Sequence, residues 1–127
     1  MTSAAGAVIL FGHGARDPAW AEPMRRIQAR MLADAQALRV ELAFLELMSP
    51  DLGAAVDTLA ADGVRCITVV PIFLAQGGHL KRDLPLLLEG LHERHPGCEI
   101  RLATAAGEAE PVVAAMAAYA SACAAAG

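Results

Sequence analysis

Four short apolar runs recur along the chain, each separated from the next by enough residues for one helix. They are AVILF (7–11), VELAFLEL (40–47), RCITVVPIF (65–73) and CEIRLA (98–103). Rich in β-branched and large aliphatic residues, they have the composition of strands buried on both faces. Strands separated by helices pair in parallel, because a parallel connection needs a crossover of that length. The alternation therefore predicts an α/β fold, a four-stranded parallel sheet with helices on both faces, for which the common order 2-1-3-4 is expected.

The segments between the runs carry helix signals. Trp20, Met24, Ile27, Met31, Ala35 and Leu38 recur at steps of three or four, with Arg25, Arg26, Arg30 and Asp34 on the other side, which predicts a helix lying on the sheet. Its start is ambiguous. Asp17-Pro18 reads as cap and first position, yet Pro23 would then sit too deep, so the helix either begins near Ala21 or kinks. Ser49-Pro50-Asp51 opens a second helix that Gly63 closes, with Leu52, Val56 and Leu59 facing inward. The third follows Gly77-Gly78 and runs to about Arg94, stopped by Pro96-Gly97, and Glu108 to Pro111 open a fourth through an alanine-rich stretch.

With 127 residues, the chain fits one domain over 1–127 and has no room for a second wall around a large ligand. Although 56% of it is hydrophobic, its apolar runs are about half as long as a membrane helix requires. Cys66, Cys98 and Cys123 lack C-x-x-C spacing and read as small core thiols rather than a disulfide or metal framework. A net charge of −4 and the lack of a long basic tract argue against nucleic acid. The N-terminus carries no basic leader and passes directly into the first run, so the expected compartment is the cytoplasm.

Residues just past the ends of strands one, two and three share the carboxyl edge of a parallel sheet, where open α/β folds bind ligands. His13, Glu46 and His79 fall there, spaced 33 residues apart, one βα unit each. Two imidazoles and a carboxylate suit a divalent first-row metal. Each also has a plainer role: His13 as a turn residue bonded to backbone, Glu46 as a solvated strand end or helix cap, His79 as a polar residue at a helix start. Arg16, Lys81 and Arg82 flank the same edge and suit an acidic substrate or an ordinary charged loop. His92 and His95 are three apart, and a solvated helix end is the favoured reading over a metal pair. Trp20, the one tryptophan, reads as core packing that doubles as a fluorescence reporter.

Other chemistries fit less well. The Gly12 to Asp17 stretch lacks the third glycine of a dinucleotide fingerprint, no Gly-Lys-Ser or Gly-Lys-Thr supplies a P-loop, and no G-x-S-x-G elbow occurs. Histidine phosphatases place a histidine after the first strand but carry arginine immediately before it, where this chain has Gly12.

GHGARDP after the first strand, FLELMSP at the second and PIFLAQGGHLKRDLP after the third resemble the short class II chelatases, the CbiX/SirB-type sirohydrochlorin chelatases. The resemblance runs from about residue 7 to residue 103. It implies a chelatase-like half domain with His13 and His79 as metal-handling residues, Glu46 as the accompanying carboxylate, and Arg16, Lys81, Arg82, Gly77 and Gly78 on the substrate side. It further implies sirohydrochlorin as substrate, Co2+ as the first metal with Fe2+ and Ni2+ next, no organic cofactor, and a homodimer whose partner supplies the second wall. Ala15 stands where many relatives have serine, which bears on local hydrogen bonding only. A noncatalytic carrier of metal or tetrapyrrole using the same crevice is the alternative.

Overall fold

A computed structural model describes residues 6–34 and 38–126. The strands are β1 (Ala7–Gly12), β2 (Arg39–Phe44), β3 (Cys66–Pro71) and β4 (Glu99–Leu102); the helices are α1 (Glu22–Asp34), α2 (Leu52–Ala61), α3 (Gly78–Arg94) and α4 (Glu110–Ala126). All strands are parallel in the order β2-β1-β3-β4, with Ile9 of β1 level with Glu41 of β2 and Val69 of β3. The expected sheet is thus the observed one.

Alternation along the strands sorts side chains between two layers. Ile9, Phe11, Ile67 and Val69 point to one face, where they bury against Val56 and Leu59 of α2 and Leu84, Leu88 and Leu91 of α3. Leu10, Val40 and Phe44 point to the other and pack under Ala21 and Met24, with Met31 and Leu38 at the margin. Ala35, expected in the same stripe, lies outside the described residues.

Two expectations on this second face need correction. Trp20 is 54% exposed and Ile27 also faces solvent. The reason for Trp20 is local: Pro18–Ala21 forms a 3-10 turn capped by the Asp17 carboxylate, which accepts from the Ala19 N–H at 2.9 Å. Three residues per turn puts Trp20 out of phase with the α-helix that follows. This also settles the ambiguous start, since Pro18 opens the 3-10 turn and Pro23 falls in the first turn of α1, where its missing N–H costs no hydrogen bond.

The remaining helices follow their signals. The Asp51 side chain caps α2 by accepting from the Ala54 N–H at 2.8 Å, and Gly63 ends it in the left-handed region at φ +87°. Cys98 is a buried thiol, donating to the Val64 carbonyl, whereas Cys66 is half-buried and Cys123 exposed, so the core-thiol reading holds only for Cys98. Cys123 fails it because no described residue of α4 is buried. Among the described residues no helix is long and apolar enough to cross a membrane.

Candidate functional site

Past the ends of β1 and β2 the chain makes two loops that touch. The ladder runs one step further, the Leu45 N–H donating to the Gly12 carbonyl at 2.8 Å, before both segments turn. A side chain at position 14 would overlap the Glu46 carbonyl, so Gly14 is what allows the loops to pass. The second loop tightens through Leu47 at φ 68°, a left-handed conformation that costs a branched residue roughly 1–2 kcal/mol, with the Met48 N–H donating to the Glu46 carbonyl at 2.9 Å. Close passage and tight turn together aim Glu46 at His13.

His13 Nδ1 lies 3.0 Å from Glu46 Oε1, and the two side chains are 53% and 44% exposed. An ionised carboxylate only accepts, so Nδ1 carries the proton and donates it, leaving the Nε2 lone pair uncommitted. The Phe73 ring sits 4.8 Å from the imidazole, centre to centre, tilted by 50°. Trp20 Nε1–H donates to the His13 carbonyl at 2.8 Å, tying the first loop to the 3-10 turn. A cavity of about 200 Å³ opens here, lined by Gly12, His13, Trp20, Pro23, Met24 and Ile72. A larger one of about 530 Å³ lies between α2 and α3 and has no histidine in its lining.

His79 is differently placed. It is exposed in the first turn of α3, where its Nδ1 lies 3.3 Å from Arg82 Nη2. A guanidinium only donates, so this Nδ1 is the acceptor and the ring proton sits on Nε2. In that state His79 presents no free lone pair. Among the described residues no group of three or more His, Cys, Asp or Glu stands close enough to hold a metal. One chain thus joins His13 to Glu46 and leaves the third expected member with Arg82.

Arg16, Lys81 and Arg82 are exposed, and none of the ion pairs among the described residues uses them. Side chains at Gly77 or Gly78 would meet nothing within 4 Å, and α3 has no side-chain cap, so its first N–H groups stand bare. Pro85 within α3 has no N–H to offer the Lys81 carbonyl, which leaves the first turns joined to the rest by one bond fewer. His92 and His95 do not pair: His92 Nδ1 bonds the Cys98 carbonyl at 3.0 Å, and His95 Nε2 reaches Asp57 Oδ1 at 2.6 Å. Hydrogen bonds from His95 first and Arg94 second hold the Asp57 carboxyl below its ordinary value.

Sequence reasoning missed the apolar rim. Leu45, Leu47 and Leu74 are large apolar side chains exposed around the strand ends, and Trp20 and Phe73 frame His13. A signal for them existed. The apolar runs predicted strands over 40–47 and 65–73, but the ladders stop at Phe44 and Pro71, so the surplus residues are rim.

The class defined by these features is a parallel α/β domain with a carboxylate-oriented histidine at an open, partly apolar carboxyl edge. The CbiX family model matches residues 7–122, and the chain belongs to the CbiX family. It is 42% identical over 82 residues to the sirohydrochlorin cobaltochelatase of Methanopyrus kandleri, a match covering 65% of this chain and 57% of that protein. The chain thus spans little more than half the length of that curated relative. A CbiX protein from Marinobacter aquaeolei VT8 superposes with a TM-score of 0.79 at 32% identity, over 91% of this chain and 94% of the other. The sirohydrochlorin chelatase SirB from Bacillus subtilis subspecies spizizenii, solved in complex with cobalt, gives 0.68 at 26% identity, over 80% of this chain and 43% of the other.

Proposed function

We propose that this chain, acting as one domain over residues 1–127, is a lyase-class chelatase that inserts a divalent metal into sirohydrochlorin during cobalamin or sirohaem synthesis. It works in the cytoplasm as a homodimer. Co2+ is the metal favoured by the cobaltochelatase relatives and the cobalt complex of SirB, with Fe2+ and Ni2+ the alternatives. The metal is a substrate, and no organic cofactor takes part.

The carrying observation is the 3.0 Å bond from His13 Nδ1 to Glu46 Oε1. Insertion exchanges two pyrrolic protons for one divalent cation, so the site must accept protons beside a desolvating metal. With Nδ1–H held by a carboxylate, His13 offers Nε2 in a fixed direction, and the carboxylate stabilises the imidazolium formed when Nε2 takes a proton. The same oriented nitrogen can replace a water on the incoming ion. Glu46 therefore acts through His13, and His79 joins only when Arg82 releases its Nδ1.

The rim supports a macrocycle as the other reactant. Leu45, Leu47 and Leu74 offer apolar surface to a flat ring, while Arg16, Lys81, Arg82 and the bare start of α3 offer donors to its peripheral carboxylates. Drug-sized ligands fill cavities of about 300–1,000 Å³. The cavity beside His13 is only about 200 Å³, so a second wall is needed and the partner subunit supplies it.

The test is an anaerobic absorbance assay with excess sirohydrochlorin and cobalt, iron or nickel supplied in turn. Many turnovers per chain above the spontaneous rate support the proposal. Stoichiometric binding without turnover replaces it with the carrier reading.

A further inference from the structure

We infer that the small cavity beside His13 is a methyl subsite: it seats a C-methylated edge of the macrocycle and so separates sirohydrochlorin from rings that carry the same acid side chains without methyl groups. The inference rests on the reading of sirohydrochlorin as the substrate and adds which part of it the chain recognises.

The cavity is apolar by construction. At about 200 Å³ it is smaller than the roughly 300–1,000 Å³ of a drug-sized site, so it takes an edge of the macrocycle and not the whole. Trp20, Pro23, Met24 and Ile72 supply its apolar walls, and among the described residues no lysine, arginine or carboxylate lines it. Polar groups at the wall are spent elsewhere. The Trp20 indole N–H donates to the His13 carbonyl at 2.8 Å, the Ile72 N–H to the Phe11 carbonyl at 2.7 Å, and the Gly12 carbonyl accepts from the Leu45 N–H at 2.8 Å.

Local sequence gives the cavity its shape. A Cβ at position 12 would stand 2.8 Å from Met24 Sδ, so the thioether occupies space that any residue but glycine would claim. The 3-10 turn that takes Trp20 out of the α1 stripe leaves its ring as a wall that solvent reaches, whereas Met24 is buried.

The chemistry of the macrocycle decides what can enter. Its periphery carries acetate and propionate chains and two methyl groups, the methyl groups on adjacent reduced rings, so one edge is methylated and the opposite edge is not. A carboxylate in this cavity would lose its water and meet no cation, which is strongly unfavourable. A methyl group gives up nothing on entering and gains burial. Each methylated carbon is tetrahedral, so its methyl group and its acid chain leave on opposite faces of the ring. The methyl group can therefore be buried while the acid chain stays in water. The cavity lies on the α1 face of the sheet, whereas Lys81 and Arg82 begin the helix that covers the other face. A methylated edge seated beside Trp20 thus turns the unmethylated edge, with its carboxylates, toward those donors.

The test is a binding titration of the full chain, without metal and without oxygen, followed by the absorbance of the macrocycle. The probes are sirohydrochlorin and uroporphyrin III, which has the same acid chains and no methyl group. A fitted pocket discriminates one such carbon by about 10–200-fold, so Kd for sirohydrochlorin should be lower by about tenfold or more. The two rings also differ in saturation, so the deciding reading is how the ratio moves when the cavity changes. Ile72→Phe, which fills it, should bring the ratio to about threefold or less by weakening sirohydrochlorin and not uroporphyrin III. Trp20→Ala removes an exposed wall that the fold does not bury, and it should lower the ratio in the same way even where Ile72→Phe fails to fold, as judged by circular dichroism. A ratio that a folded variant leaves at the parent value would overturn the methyl subsite, and so would equal weakening of both macrocycles. Either result leaves sirohydrochlorin standing as the substrate. A parent chain that binds neither macrocycle would remove the inference together with the reading it rests on. Turnover is not required, so a noncatalytic carrier is tested by the same ratio.

Discussion

The two ends of the carboxyl edge are built to different standards. At one end, His13 is held by a carboxylate through Nδ1, by the Trp20 indole through its carbonyl, and by the close passage at Gly14. At the other, His79 stands in an uncapped first turn, beyond Pro85, with a single long contact to Arg82. The first end is pre-organised without substrate, which is what a proton acceptor needs for efficient transfer. The second keeps its donors unspent, which suits a surface that orders itself on an anionic ligand or on a neighbouring copy.

If that contrast is correct, substitutions at the built end lose chemistry and those at the loose end lose mainly binding. His13→Ala should have the largest effect, lowering cobalt insertion by about 10²–10⁴-fold in kcat with little change in melting temperature, read in the anaerobic absorbance assay. Glu46→Gln keeps the side-chain shape and an acceptor oxygen but loses the charge that stabilises the imidazolium. It should cost about 10–100-fold. Equal losses in the two variants would mean that Glu46 meets the metal directly.

At the loose end the expected effects are smaller and of another kind. Arg82→Ala should raise the KM for sirohydrochlorin about tenfold, the worth of one charge-assisted hydrogen bond of about 1.5 kcal/mol, while kcat changes less. His79→Ala should fall between Arg82→Ala and Glu46→Gln. A loss in kcat as large as that of His13→Ala would abolish the contrast and make the two histidines equal ligands.

How much of this was legible in the sequence follows the same division. The positions of the strands and the α2 and α3 boundaries follow from local signals, because apolar runs, Asp51, Gly63 and Pro96-Gly97 each act on their own neighbourhood, whereas the sheet order is the common one for such an alternation. The meeting of His13 with Glu46 was inferred from topology, and it holds because parallel neighbouring strands deliver their next residues to one place. The engagement of His79 Nδ1 by Arg82 was not legible, since strand placement brings a residue to the edge without saying which neighbour its side chain meets. Trp20 departs from the expected stripe because it lies in a 3-10 turn of three residues per turn, a difference in phase that four residues of sequence do not reveal. The exposure of α4 was hidden for another reason: helix propensity says that AAMAAYASACAAA is helical but not what covers it.

The smallest predicted effect is a control lying off both ends. Asp57 on α2 accepts from His95 Nε2 and from Arg94 at 2.7 Å, pinning the last turn of α3 to α2. These bonds lower its carboxyl below the ordinary 3.8, so its contribution to stability is fully present above that value and is lost as pH falls through the depressed one. The carboxylate is 49% exposed and screened, which limits that contribution to about 0.2–1 kcal/mol. In urea unfolding, Asp57→Asn should therefore be slightly less stable than the parent at pH 7 and at pH 5. The gap should begin to close as the buffer is taken below pH 3.8 and vanish once the depressed value is passed, where the folded carboxyl is also neutral like the amide. Metal insertion at pH 7 should be unchanged, because the pin holds the end of α3 opposite the turn that carries His79. If Asp57→Asn slowed insertion as much as Arg82→Ala does, the first turn of α3 would be governed from its far end, and the looseness at His79 would be set by how α3 is seated rather than by what its first residues lack.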